Sequence, residues 1–243
     1  MNNICIIPAR GGSKRIKNKN IKLFNGKPII YWSIKAAKES GCFSKIIVST
    51  DSKKIAKIVN TYGAFAKNLR PKFISKDDTP VQPVLEYEIK NILKKEKISY
   101  VCCLLATAAL VDPKDLKRSV NIINKKKYKF VFSSTAFEFP IQRHFFLNKK
   151  SIMIKKKFTG LKLKTQSLKK AFHDAGQFYW ATPRTFCSSH LNIYNSKSYA
   201  YILPSFKYID IDDIDDWKKS EAMVKVFKSI KRTIETFYWL KNN

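Results

Sequence analysis

No stretch of the 243 residues approaches the ~18 consecutive apolar side chains that a membrane span requires. The apolar run near the N-terminus, ICII, is too short for the core of a secretion signal. A cytoplasmic protein with no membrane partner is the expectation. Cysteine is sparse: Cys5, Cys42, Cys102, Cys103 and Cys187 contain no CxxC pair, and most sit in apolar segments. That pattern excludes a disulfide framework and metal-thiolate chemistry, and fits small core residues in a reduced compartment. Internal repeats, low-complexity linkers and sharp composition breaks are also missing, so residues 1–243 read as a single domain. Arginine is scarce too. Only seven of the 48 basic residues are Arg, although the excess over 18 acidic residues gives a net charge of +30. Nucleic-acid readers concentrate Arg and interleave aromatics for stacking. Here Lys is spread over every segment, so no specific nucleic-acid partner is expected.

What is present has an α/β rhythm. Buried strands are predicted at 2–8, 44–51, 99–107 and 130–135, with a short one near 64–67. Helices are predicted at 28–41, started by Pro28 and stopped by Gly41, and at 52–63, 81–95 and 113–124. This alternation predicts a mostly parallel, doubly wound sheet. After Phe137 it breaks: 138–175 reads as an antiparallel excursion with Lys-rich turns. Strands follow at 175–182, 199–204 and 207–212, and an amphipathic helix at about 214–240.

Ligands of parallel α/β sheets bind beyond the carboxyl ends of strands. The stretch after the first strand, PARGGSKRIKNKN, lacks both GxxxxGK[ST] and GxGxxG. Its adjacent glycines would still let backbone N–H groups turn toward an anion, with Arg10, Ser13 and Lys14 at hand. A solvated basic turn is the competing reading. Asp210 and Asp212 stand two apart, which on a strand places both carboxylates on one face, a pair suited to Mg²⁺. Asp213, Asp215 and Asp216 suit the N-terminus of the following helix instead.

Together IIPARGGSKRIKNKNIK, GKPII, IIVSTD, LRP and IDIDDIDDW resemble the cytidylyltransferases that activate acidic nine-carbon sugars, over about residues 3–225. FPIQR and AFHDAGQFYWA resemble the branch acting on pseudaminic acid. The resemblance implies a Rossmann-like nucleotide-diphospho-sugar transferase fold, with an antiparallel dimerisation arm at about 138–175 and a homodimer. It implies transfer of CMP from CTP to a sugar's anomeric hydroxyl, with Mg²⁺ and release of pyrophosphate. The nucleotide would be held by Arg10, Gly11, Gly12, Ser13, Lys14, Lys19, Asn20, Arg70 and Thr107. Lys14, Arg10 and Asp212 would be catalytic, and Asp210 and Asp212 would hold the metal. Gln142, Arg143, Lys164, Gln166, His173, Asp174 and Gln177 would face the sugar acid, His173 as a positioning group or a general base. His144 and His190 read as structural.

This sequence also departs from the pattern. Leu105 stands where sialic acid relatives carry a cytosine-reading glutamine, Lys164 replaces an arginine, and Phe172 replaces a tyrosine. An ammonium is a point charge where a guanidinium would grip a carboxylate through two bonds. The same reaction on sialic, legionaminic or 3-deoxy-octulosonic acid is one alternative. The others are a nucleotide-binding homologue without turnover and a nucleic-acid-binding protein on this fold.

Overall fold

The computed structural model describes residues 2–154, 164–208 and 210–226. Its centre is a six-stranded sheet of β1 (Asn3–Pro8), β4 (Lys45–Ser49), β5 (Tyr100–Leu104), β6 (Phe130–Ala136), β9 (Phe172–Ala181) and β10 (Ser198–Ile202). Across the sheet the order is β10-β6-β9-β5-β1-β4. The pairs β1–β4, β1–β5 and β6–β10 are parallel, while β9 runs antiparallel to β5 and β6. Strands β1 and β5 are nearly continuous apolar runs because both sheet faces are covered.

Alternate residues of β1 go to opposite cores. Cys5 and Ile7 pack with Ile30 and Ile34 of α1 (Ile29–Ser40) and with Leu116 and Val120 of α4 (Pro113–Asn124). Ile4 and Ile6 pack with Leu85 and Ile89 of α3 (Val81–Leu93) and with Phe186 of α5 (Pro183–Phe186). Trp180 is fully buried in the first core, stacked on Phe43 at 5.1 Å and donating to Ser119 Oγ at 3.0 Å.

Local chemistry sets the helix ends. Gly41 closes α1 at φ 64°, the left-handed region that a side chain disfavours. The Ser52 hydroxyl accepts from Ile55 N–H to start α2 (Lys53–Thr61), and the Asp112 carboxylate accepts from Lys114 N–H to start α4. A last helix, α6, spans 214–226. The rest of the helix expected to residue 240 lies outside the described residues.

Two expected strands do not form among the described residues. At 64–67 only one bridge forms, Ile47 to Phe65, because Asn60 Oδ1 takes the next N–H, that of Ala66. At the second, 207–212, a 3₁₀ turn, Ser205–Lys207, leads in, and residues 208 and 210–212 belong to no strand. There Gln177 Nε2 takes the Lys207 carbonyl at 2.6 Å, and Lys207 Nζ reaches Asp115 and Asp112 at 3.0 and 3.4 Å. Side chains thus take the contacts that a strand neighbour would have made. The predicted antiparallel excursion contains the hairpin β7 (Phe146–Leu147) and β8 (Met153–Ile154), whose turn is held by Asn148 Oδ1 accepting from Lys150 and Ile152 N–H. The two remaining short strands, β2 (Leu23–Phe24) and β3 (Lys27–Pro28), pair antiparallel ahead of α1.

Candidate active site

The carboxyl ends of β1 and β5 meet at a cleft of about 230 Å³, entered there by Pro8, Leu105 and Ala106. Arg10, Ser13, Lys14, Lys19, Asn20, Arg70 and Thr107 all line it, which brings together seven of the nine residues expected to hold a nucleotide. Gly11 and Gly12 supply the backbone between them. Arg15 and Lys76 add two more cations, and none of the lining residues is acidic.

The loop is fixed from several sides. Asn20 Nδ2 donates to the Arg10 carbonyl at 2.9 Å, and Gly11 N–H donates to Asp51 Oδ1 at 2.8 Å. A Cβ on Gly11 would stand 3.0 Å from the Ser52 Cβ, so a larger residue there would push against the start of α2. On the β5 side, Ser33 Oγ donates to the Leu105 carbonyl at 2.9 Å and Leu105 N–H donates to the Gln177 carbonyl. Arg70 is buried at 5% exposure, its N–H on the Thr50 carbonyl and its Nε on Ser75 Oγ. Burial holds its guanidinium below the ordinary value, and nearby Asp51 and Glu88 pull it back up. Burial also raises the Glu88 carboxyl, against a hydrogen bond from Ser49 Oγ at 2.7 Å and the Arg70 charge.

The aspartates arrive from the far end of the chain. Ile211 is buried with Ile16, Phe24, Ile29, Trp217 and Val224 in a third small core, which places Asp210 and Asp212 beside the loop. Lys19 Nζ donates to the Ile211 carbonyl at 2.6 Å and stands 3.9 Å from Asp212 Oδ1, while Arg15 Nη1 pairs with Asp212 Oδ2 at 2.7 Å. Burial lowers the Lys19 ammonium, and Asp212 and Asp210 counter that shift. Desolvation and then the Asp212 charge raise the Asp210 carboxyl. A divalent cation would relieve that repulsion, so the pair fits one. Among the described residues no third His, Cys, Asp or Glu completes a cage, which leaves coordination positions for phosphate and water oxygens. Asp213 Oδ1 caps α6, accepting from the N–H groups of Asp215 and Asp216 at 2.9 Å each.

The residues expected to face the sugar lie elsewhere, and none of the seven lines this cleft. Gln142 and Arg143 form a 3₁₀ turn in the arm, with Gln142 Nε2 donating to the Lys169 carbonyl at 2.8 Å. Lys164 and Gln166 lie exposed at the turn Thr165–Ser167. His173 Nδ1 is 2.9 Å from the Asp174 carbonyl oxygen, its ring between Phe137 and Tyr208. The Asp174 carboxylate does not orient that imidazole. It accepts from Gly176 N–H at 2.8 Å and from the Tyr179 hydroxyl at 2.7 Å. Gln177 is buried and holds Lys207.

The sequence reading did not single out Ser33, Lys76 or Asp77. Asp51 ends the IIVSTD motif, at the carboxyl end of a strand where ligand-facing residues are expected, although no role was assigned to it. Asp77 had no such signal. Its carboxylate contacts both Arg10 and Lys14 across the cleft.

A family model described as cytidylyltransferase matches residues 4–230. The pseudaminic acid cytidylyltransferase of Campylobacter jejuni is 39% identical over 227 residues, covering 93% of this chain and 97% of that protein. In Helicobacter pylori, a protein described as pseudaminic acid cytidylyltransferase and UDP-2,4-diacetamido-2,4,6-trideoxy-beta-L-altropyranose hydrolase is 34% identical over 94% of this chain and 44% of its own length. Among solved structures, a CMP:2-keto-3-deoxy-manno-octonic acid synthetase complexed with CTP superposes with a TM-score of 0.69 at 14% identity, over 93% of this chain and 99% of the other. That likeness is one of fold, and it agrees with the nucleotidyltransferase architecture expected from the sequence. By family model and by sequence identity along nearly its whole length, the chain belongs to the cytidylyltransferase family of nucleotidyltransferase enzymes.

Proposed function

We propose that this enzyme transfers the CMP moiety of CTP to the anomeric hydroxyl of pseudaminic acid, releasing pyrophosphate. The observation that carries the reading is a cleft lined by Arg10, Lys14, Lys19 and Arg70, at whose edge Lys19 and Arg15 engage Asp212 from the far end of the sequence. Cations at that density suit a triphosphate and not a neutral ligand. Arg10 and Lys14 would hold the phosphates that leave, and Lys19 and Arg70 would neutralise charge growing on the α-phosphate. Asp210 and Asp212 would hold Mg²⁺, which would supply positive charge to offset the negative charge of the triphosphate.

Arg143 and Lys164, both in the arm, would meet the sugar carboxylate, and His173 would position the sugar. An apolar cavity of about 190 Å³ shares Val81 and Leu105 with the cleft and suits apolar substituents of the sugar. The arm exposes Phe139, Phe146 and Met153 at 81, 55 and 54%, a surface suited to a second copy of the chain in a homodimer. The five free cysteines fit a cytoplasmic enzyme.

Pyrophosphate release should be measured with CTP, Mg²⁺ and, in parallel, pseudaminic, N-acetylneuraminic, legionaminic and 3-deoxy-octulosonic acids. Turnover is expected with pseudaminic acid and its loss in Asp212→Ala. Preference for another sugar, or full activity in the variant, overturns the corresponding part of the reading.

A further inference from the structure

The six cations lining the cleft have no acidic residue among them, yet two carboxylates reach in from outside that lining. Asp212 engages Arg15 and Lys19 and belongs to the aspartate pair already described. Asp77 engages Arg10 and Lys14 together and has no part in the transfer chemistry above. One carboxylate bridging a guanidinium and an ammonium sits where a phosphate oxygen shared by the same two donors would sit.

The segment that carries Asp77 is built to present it. Its base is pinned by Arg70 N–H on the Thr50 carbonyl at 2.7 Å. Ser75 Oγ accepts from Arg70 Nε at 3.2 Å and donates to the Pro71 carbonyl at 2.8 Å. A 3₁₀ turn, Lys72–Ile74, lies between those anchors, and α3 begins at Val81 just beyond. The contact itself stays open to solvent. The Lys14, Asp77 and Arg10 side chains are 83, 35 and 34% exposed, so an anion can displace the carboxylate without disturbing the core.

We infer that Asp77 is an internal counter-anion for the phosphate subsite, which any polyphosphate must displace to reach Arg10 and Lys14. The inference rests on the proposed triphosphate-binding role of the cleft and names the residue that sets its threshold. Displacement weakens every ligand that uses those two cations by a similar factor. A triphosphate, which also reaches Lys19 and Arg70, regains the difference. A single phosphate reaching Arg10 and Lys14 alone does not. In a protein of net charge +30, such a threshold keeps the cleft from filling with inorganic phosphate.

The test compares wild type, Asp77→Asn and Asp78→Asn by calorimetric titration with pyrophosphate, CTP and cytidine, with metal and sugar omitted. Asp78 is exposed on the same turn and serves as a charge-matched control. In Asp77→Asn, pyrophosphate and CTP should bind about 3–10-fold tighter, the scale of one partly exposed ion-pair network. Cytidine should be unchanged, and Asp78→Asn should move all three by less than about twofold. Unchanged or weaker pyrophosphate binding in Asp77→Asn, an equal shift for cytidine, or an equal effect of Asp78→Asn overturns the inference. So does a failure of pyrophosphate to bind the variant at millimolar concentration. Because no sugar is present, loss of the sugar assignment leaves this result readable.

Discussion

The cleft and the arm solve opposite problems with the same chain. In the cleft, each functional group is held by another group of the chain: Arg10 by Asn20, Gly11 by Asp51, Lys19 by the Ile211 carbonyl. The arm keeps its order through local turns, such as the Asn148 loop, and leaves large apolar side chains facing solvent. Strand β9 joins the two. Phe172 at its start is exposed, whereas Phe178 and Trp180 near its end are fully buried. One region is therefore braced by its own long-range bonds, and the other presents an exposed apolar surface, the one proposed above to meet a second copy.

Three measurements bear on this contrast. The largest effect is expected inside, at Lys207, whose ammonium pairs with the buried Asp115 and whose carbonyl is held by Gln177. Lys207→Ala leaves the Asp115 charge unpaired and should destabilise by about 3–5 kcal/mol in denaturant titrations. Turnover should fall as well, because the side-chain anchor just ahead of Asp210 and Asp212 is lost while the Gln177 bond to the main chain remains. In the arm, the double change Phe146→Asp with Ile154→Asp puts two carboxylates on a paired position of the hairpin. With the proposed homodimer as the starting state, it should shift the protein to monomer in light scattering, weakening association by about 100-fold or more, with a normal melting transition. A variant that melts early but stays dimeric would mean that the arm, too, supports its own fold.

The smallest effect concerns pH. The Asp210 carboxyl is raised in the folded state, chiefly by desolvation, so its ionised form disfavours folding. That penalty is absent below the ordinary carboxylate range, grows as pH rises through it, and is full above the raised value. Asp210→Asn should therefore raise the melting temperature slightly at pH 7 and leave it unchanged near pH ~3, while abolishing turnover.

The same contrast explains which features are legible in the sequence. Helix α4 was expected at 113–124 and is observed at Pro113–Asn124, because Asp112, Pro113 and the apolar spacing act within a few residues. The loop at 10–20 was readable for a related reason: its chemistry follows a buried strand directly. The Asp210–Asp212 segment was found, but on the wrong geometry. Its placement depends on Trp217 close by and on Gln177 and Asp115, which are distant in sequence, and not on strand alternation. The contact of Asp77 with Arg10 and Lys14 left no trace in the sequence, since it arises from how a 3₁₀ turn crosses the cleft. Local propensity determines elements, and long-range side-chain bonds determine where irregular segments aim.

The third small core has a consequence for anyone recombining this enzyme with a relative. Ile211 lies between the two carboxylates in the chain and packs on Ile16 of the basic loop and on Trp217 of α6. The two charged halves of the cleft are thus spliced through one hydrocarbon joint. A chimera that exchanged the loop but kept a mismatched Ile211 or Trp217 would carry every charge and lose their alignment. The exchangeable unit is discontinuous, a loop near one end of the chain inherited together with a tripeptide and a tryptophan from the other.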